Sequence, residues 1–184
     1  MLDAIEKKYE LINGREVMMS PANTGHNSIQ MNLAVILWNY LKGKRCKLFS
    51  ETMVRFDENN HFVPDLLVVC DRSKIKASHI EGAPDLVVEI LSPSTGRRDL
   101  GIKKDTYEKF GVREYWVIDP KSKSILVYHR KDGKFAFDDR YAVLEEWEVE
   151  AMSEEEKAEH RLTLKVSLYD DLEIDVKEIF DDMV

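Results

Sequence analysis

Two short runs, Val63-Pro-Asp65-Leu-Leu-Val-Val-Cys70 and Ala83-Pro-Asp85-Leu-Val-Val-Glu89-Ile-Leu91, constrain this chain more than any other feature. Each is rich in Val, Leu and Ile and is entered through a proline, the pattern of a strand buried on both faces. A carboxylate in such a run is costly without a partner or a cation. Antiparallel pairing with Cys70 opposite Pro84 places Asp65 directly opposite Glu89, where like charges repel at close range. A divalent cation turns that repulsion into attraction, so the pair reads as a metal site. The plainer alternative is two strand-end carboxylates facing water or a nearby Lys or Arg. A one-residue slip in register would separate the two faces.

The neighbouring segments supply a frame. Tyr9–Ile12 and Arg15–Met18 form a hairpin across Asn13-Gly14, a dipeptide that favours a tight primed turn. A loop over 20–25 leads into a helix marked by Ile29, Leu33, Ile36, Leu37, Tyr40 and Leu41, with Gly43 as its stop. Segments 47–49 and 53–56 read as strands, 57–60 as a turn, and the polar connection 71–82 as a surface excursion. After Glu89 come a loop over 92–96, a helix over about 98–110 capped by Gly111, and a strand over 114–118. A hairpin of 125–129 with 134–137 turns at Asp132-Gly133. Strand, helix and strand in that order predict an α/β sheet with a crossover helix. The acidic stretch 145–160, where Ser153 and Glu156 are spaced to cap a short helix, reads as an excursion from one domain spanning 1–184.

Cys46 and Cys70 sit in apolar runs and are too few for a disulfide framework, so they are expected as buried free thiols of a reducing compartment. No apolar run reaches membrane-spanning length and no basic-then-apolar leader opens the chain. A cytoplasmic protein that does not enter the membrane is the expectation. The net charge of −8 is unevenly placed. Through Phe137 there are 22 basic and 18 acidic residues, and from Asp138 onward 5 basic and 17 acidic. Acidity therefore belongs to the C-terminal quarter. Lys42, Lys44, Arg45 and Lys47 form one basic cluster, and Arg97, Arg98, Lys103 and Lys104 form another that could meet phosphates.

The predicted helix after Glu89 carries Leu100, Tyr107 and Phe110 on its apolar face. At about 100° per residue, Lys103 lies within ~30° of the centre of that face and Lys104 ~70° away. A lysine can snorkel out of such a face along its stem. Its ammonium, if it stays, needs an anion, and Asp65 and Glu89 are the nearest candidates. Two carboxylates, a divalent metal and a lysine are what hydrolysis of a phosphodiester by activated water requires.

The ordered series Val63-Pro-Asp65, Gly82-Ala-Pro-Asp85-Leu-Val-Val-Glu89-Ile-Leu-Ser-Pro-Ser-Thr95, Arg98-Asp99, Lys103, Tyr107 and Gly111-Val-Arg-Glu-Tyr-Trp116-Val-Ile-Asp-Pro120 resembles the Uma-two family of candidate restriction endonucleases. That family lies within the PD-(D/E)xK nuclease superfamily. The resemblance runs from about Tyr9 to Arg130, with a weaker tail through Phe180. It implies a restriction-endonuclease-like α/β fold, a mixed β-sheet flanked by helices with additional β-hairpins. It also implies a metal-dependent endonuclease acting on nucleic acid, DNA above all, with Mg2+ or Mn2+. Oxygen ligands without thiolates or a His pair favour magnesium over zinc.

Within the resemblance, Asp65 and Glu89 correspond to the acidic metal ligands, and the backbone carbonyl of Ile90 to a third ligand. The superfamily's lysine usually stands two residues after the second acid, where this chain has Leu91, and Lys103 on the following helix takes its place. Arg97, Arg98 and His26 are candidate nucleic-acid contacts. Glu51 is a candidate helper of a second metal or a solvated strand charge. Asp85 is expected to be structural, and Tyr115, Trp116, Tyr128 and Trp147 to pack in the core or at an edge. A homodimer would suit cleavage of two strands. The alternative is a catalytically inactive nuclease-fold module that binds nucleic acid or a partner protein, since fold alone does not guarantee chemistry.

Overall fold

A computed structural model describes residues 8–92 and 96–183. It opens with the hairpin of β1 (Tyr9–Ile12) and β2 (Arg15–Met18). Asn13 (φ 50°) and Gly14 (φ 75°) supply the two left-handed residues that a primed turn needs. In α1 (Thr24–Leu41), Asn23 caps the first turn by accepting the His26 amide at 2.8 Å. Ile29, Leu33, Leu37 and Leu41 form the helix's buried stripe, one side chain per turn. Then come β3 (Lys47–Ser50), β4 (Val54–Asp57), β5 (Asn60–Phe62), β6 (Leu66–Val69), β7 (Ile80–Glu81) and β8 (Leu86–Ile90). The crossover consists of α2 (Gly96–Arg98), a π-type turn (Asp99–Lys103) and α3 (Lys104–Phe110). It leads to β9 (Glu114–Asp119), β10 (Ser124–Lys131) and β11 (Lys134–Ala142). The remainder holds α4 (Glu146–Ala151), α5 (Glu154–Glu159), β12 (Thr163–Lys165), β13 (Glu173–Asp175) and α6 (Val176–Ile179).

The central sheet has the order β11-β10-β9-β8-β6-β3, and β8 with β9 is its parallel pair. A second sheet, β2-β1-β5-β4-β7, lies beside it, and β12 pairs with β13. Strands β6 and β8 are buried throughout, as their unbroken apolar runs predict. Leu66, Val68, Leu86, Val88 and Ile90 join α1 and the C-terminal residues in one core. Leu67, Val69 and Val87 join Val54, Phe62 and Tyr107 in the other. Each fully buried Val or Leu contributes about 1.5–3 kcal/mol relative to exposure, so these two strands anchor both layers. The architecture is the mixed α/β arrangement read from the sequence. Among the described residues no helix is long and apolar enough to cross a membrane.

Strand β6 pairs with β8 through Leu66↔Val88, Leu67↔Val87 and Val68↔Leu86. One step further in that register, Asp65 stands across from Glu89, and Cys70 from Pro84 at the other end.

Several expectations need correction. Cys46 and Cys70 are not free thiols but form a disulfide, with Cα atoms 3.9 Å apart. Strand β3 pairs with β6 as Lys47↔Val69, so the next pair outward is Cys46 with Cys70. Leu100 is 44% exposed rather than apolar-face core. The helix expected over 98–110 is broken at Gly101 (φ −114°, ψ −106°), which rotates Leu100 away from Tyr107. Trp147 is 69% exposed on α4, whereas Tyr115 and Trp116 are fully buried. The excursion 71–82 carries a 3-10 turn and β7, which pairs with β4 in parallel. Of the loop expected over 92–96, residues 93–95 lie outside the described residues.

Candidate active site at the Glu89 end of the central strands

Glu89 is the penultimate residue of β8, and alternation turns it toward the core that holds Tyr107. Its Oε1 accepts the Tyr107 hydroxyl at 2.5 Å and lies 2.6 Å from the Lys103 Nζ. Lys103 is only 4% exposed. Its ammonium also lies 3.0 Å from Glu10 Oε1 and 3.6 Å from Asp99 Oδ1. Lys104 points elsewhere, its Nζ 4.0 Å from the Tyr128 ring centre. The kink at Gly101 and the π-type turn thus deliver Lys103, not its neighbour, to the carboxylates.

Three buried carboxylates, Glu10, Glu89 and Asp99, surround one ammonium. Burial pushes the Glu89 carboxyl well above its ordinary range; Lys103 opposes this, and Asp99, Asp65 and Glu10 reinforce it. Burial alone would lower the Lys103 pKa, but Glu89, Glu10 and Asp99 outweigh it and hold the ammonium above the ordinary lysine value. Lys103 is therefore a fixed cation rather than a proton acceptor. Burial likewise raises the Tyr107 hydroxyl, helped by the charge of Glu89, so it stays a donor.

Asp65 is held from four directions. Its Oδ1 lies 3.0 Å from His26 Nε2, and its Oδ2 accepts the Ile90 amide at 2.6 Å. Its carbonyl accepts the Gln30 side-chain amide at 2.9 Å and the Glu51 amide at 3.2 Å. His26 and Gln30 stand one turn apart on α1, so the helix clamps both the carboxylate and the backbone of Asp65. Burial lowers the His26 pKa, yet the Asp65 hydrogen bond and charge, with Glu51 and Asp99, raise it above the ordinary value. His26 is buried and pairs with Asp65, so this candidate nucleic-acid contact lies directly against the first acid.

Arg97 is exposed and Arg98 half-buried on α2, immediately before the turn that carries Lys103. Glu51 pairs with Lys8. Asp85 accepts the Cys70 amide at 2.8 Å and lies 3.5 Å from Arg113, a structural role.

Glu10 and Asp99 were not singled out in the sequence. Period-two alternation in β1 puts Glu10 on the buried face with Ile12, and Asp99 stands four residues before Lys103; those were the available signals.

Among the described residues no group of three or more His, Cys, Asp or Glu side chains is arranged to hold a metal ion. The physical reason is visible in the partners: Asp65 turns to His26 and the Ile90 amide, and Glu89 turns inward to Lys103 and Tyr107. A set of two carboxylates and a main-chain carbonyl still fits a hard divalent cation, because all donors are oxygens and carboxylates outnumber ammonium groups here.

A family model described as "Putative restriction endonuclease", Uma2, matches residues 1–168. The chain belongs to the Uma2 family. A relative of this Uma2 chain, the uncharacterized protein slr1290 of Synechocystis sp., is 30% identical over 129 residues, 68% of each chain. The fold of the present chain matches the crystal structure of a "putative nuclease belonging to DUF820" from Anabaena variabilis, with a TM-score of 0.72 and 22% identity. That match covers 97% of this chain and 93% of the other. The likeness shows that the two chains share a fold.

Proposed function

We propose that this Uma2 protein is a metal-dependent endonuclease that hydrolyses phosphodiester bonds of nucleic acid, with DNA as its substrate. One observation carries the reading: Asp65 and Glu89 oppose each other at a strand end while Lys103, from the crossover, lies 2.6 Å from Glu89. Asp65, Glu89 and the Ile90 carbonyl would hold the divalent ion, Mg2+ or Mn2+. When bound, the ion supplies a nucleophilic water at neutral pH and neutralises charge on the phosphate.

The chain's own residues do the rest. Lys103 anchors Glu89 and supplies fixed positive charge toward developing negative charge on the phosphate. Tyr107 holds the Glu89 carboxylate in one orientation through its hydroxyl. His26, Gln30 and the Ile90 amide hold Asp65, so the first acid does not swing with substrate. Arg97 and Arg98, at the entrance to the Lys103 turn, meet backbone phosphates.

Plasmid cleavage in Mg2+ or Mn2+ tests the proposal, comparing wild type with Glu89→Ala and Asp65→Asn. Both substitutions should reduce cleavage to background, and Mg2+ should raise the Tm of the wild type only. Cleavage that survives both substitutions, or equal magnesium affinity in all three proteins by calorimetry, would overturn it.

A further inference from the structure

A cleft of about 550 Å³ opens beside Asp65, between the N-terminal hairpin, the end of β3 and the segment before β7. Its position is set by the backbone. Glu51, in its wall, donates its amide to the Asp65 carbonyl, and Val63, also in its wall, precedes Asp65 by two residues. The volume falls within the ~300–1,000 Å³ of small-ligand sites and admits one nucleotide.

The lining has the chemistry of a nucleotide subsite. Tyr9 and Met53 are 44% and 36% exposed, and Phe49 lies half-buried between the sheets, so flat apolar surface faces the cleft. Lys8 and Lys76 line it together with one acid, Glu51, which pairs with Lys8, and His79 adds an imidazole that pairs with Glu81. Two lysines against one acid is the reverse of the chain's net charge of −8. Rings for a base, with cations for the phosphates on either side of it, are how proteins hold single-stranded nucleic acid.

We infer that this cleft takes one unpaired nucleotide of the substrate strand, next to the phosphate held at Asp65 and Glu89. A paired, stacked base cannot turn its face to Tyr9, so the nucleotide must come from a single strand or be unstacked from a duplex. The inference rests on the endonuclease reading and narrows its substrate to strands with an unpaired nucleotide beside the scissile bond.

Fluorescence anisotropy with a labelled oligothymidylate and a blunt duplex of equal length, in Ca2+ to suppress cleavage, tests it. The oligothymidylate should bind about tenfold or more tightly than the duplex, since base–aromatic stacking is sequence-tolerant and needs a free base. Tyr9→Ala combined with Met53→Ala should weaken that binding about tenfold, while Tyr9→Phe keeps it. Lys76→Ala should flatten its salt dependence. Tyr9, Met53 and Lys76 are exposed, and unchanged circular dichroism checks that the variants fold. Equal affinity in all cleft variants, or tighter binding of the duplex, overturns the inference. If the cleft variants are silent while Asp65→Asn abolishes cleavage, the endonuclease reading stands and the cleft inference falls. If the cleft governs oligothymidylate binding but nothing is cleaved, the cleft inference stands and the hydrolytic reading falls.

Discussion

Two buried glutamates on adjacent strands, Glu89 on β8 and Glu114 on β9, have opposite surroundings. Glu114 lies across from Leu86, at the far end of β8 from Glu89. Its Oε1 accepts the Trp116 indole N–H at 2.7 Å, and its Oε2 accepts the Ser167 amide at 2.9 Å and hydroxyl at 2.5 Å. His129 Nε2 stands 3.4 Å from the same carboxylate, with Asp138 3.4 Å from the other ring nitrogen. Three donors, from β9 and the C-terminal segment, fill both oxygens of Glu114, with the His129 ring of β10 beside it. It is a fastener. Glu89 has a tyrosine and a lysine, but Glu10 and Asp99 share that lysine, so negative charge exceeds positive in a buried space. A buried acid whose donors are complete stabilises a fold. Several acids around one cation leave charge to be balanced, and such clusters mark functional sites.

Stability measurements should separate the two most sharply. Glu114→Ala strands the indole, the amide and the hydroxyl together, and should cost about 3–5 kcal/mol by urea denaturation. Glu89→Gln preserves volume and leaves Lys103 its ion pairs with Glu10 and Asp99, and should change stability by only about 1 kcal/mol. Equal losses in the two variants would break the comparison and make Glu89 another fastener.

A smaller effect should follow pH. The Glu114 hydrogen bond raises the His129 pKa above 6.5; burial opposes it, and the charges of Glu114 and Asp138 add to the rise while Lys131 reduces it. A raised histidine pKa contributes stability that is complete below the unfolded value of about 6.5 and is lost as pH rises through the folded value. The Tm advantage of wild type over His129→Gln should therefore shrink as pH is raised above 6.5. An advantage that grows with pH would mean that His129 is held neutral.

The smallest effect concerns the surfaces around the two ends. Neutralising Arg97 and Arg98 together should reduce the salt slope of DNA binding by about 2, the counterions of two phosphates. Neutralising Glu154, Glu155 and Glu156 on α5 should change binding little, or strengthen it slightly at low salt. Were the glutamates to control binding and the arginines to be silent, the acidic segment would belong to the site.

The contrast between Glu89 and Glu114 was only half legible. Asp65 opposite Glu89 could be read because two proline-entered apolar runs each carry one carboxylate, and the register assumed for them, with Cys70 across from Pro84, agrees with Leu66↔Val88. Lys103 was placed correctly by a helical wheel whose premise was partly wrong, since Leu100, one of its three markers, is exposed beyond a kink at Gly101. Glu114 passed unnoticed because its donors lie on β9, β10 and residue 167, which local pattern does not connect. His26 was noticed, but its partner was not, because the contact joins a helix start to a strand 39 residues away.

What the sequence determined by itself was the order of elements from β1 to the β10–β11 hairpin apart from β5 and β7, the two-faced burial of β6 and β8, and the family; these follow from period, turn chemistry and a long ordered motif series. Only the tertiary structure decided that Glu10 and Asp99 share Lys103 with Glu89, and that Cys46 and Cys70 are bonded. Contacts of that kind depend on which face of a distant strand or kinked turn points inward, and the backbone sets this through packing of the whole core rather than through any local window.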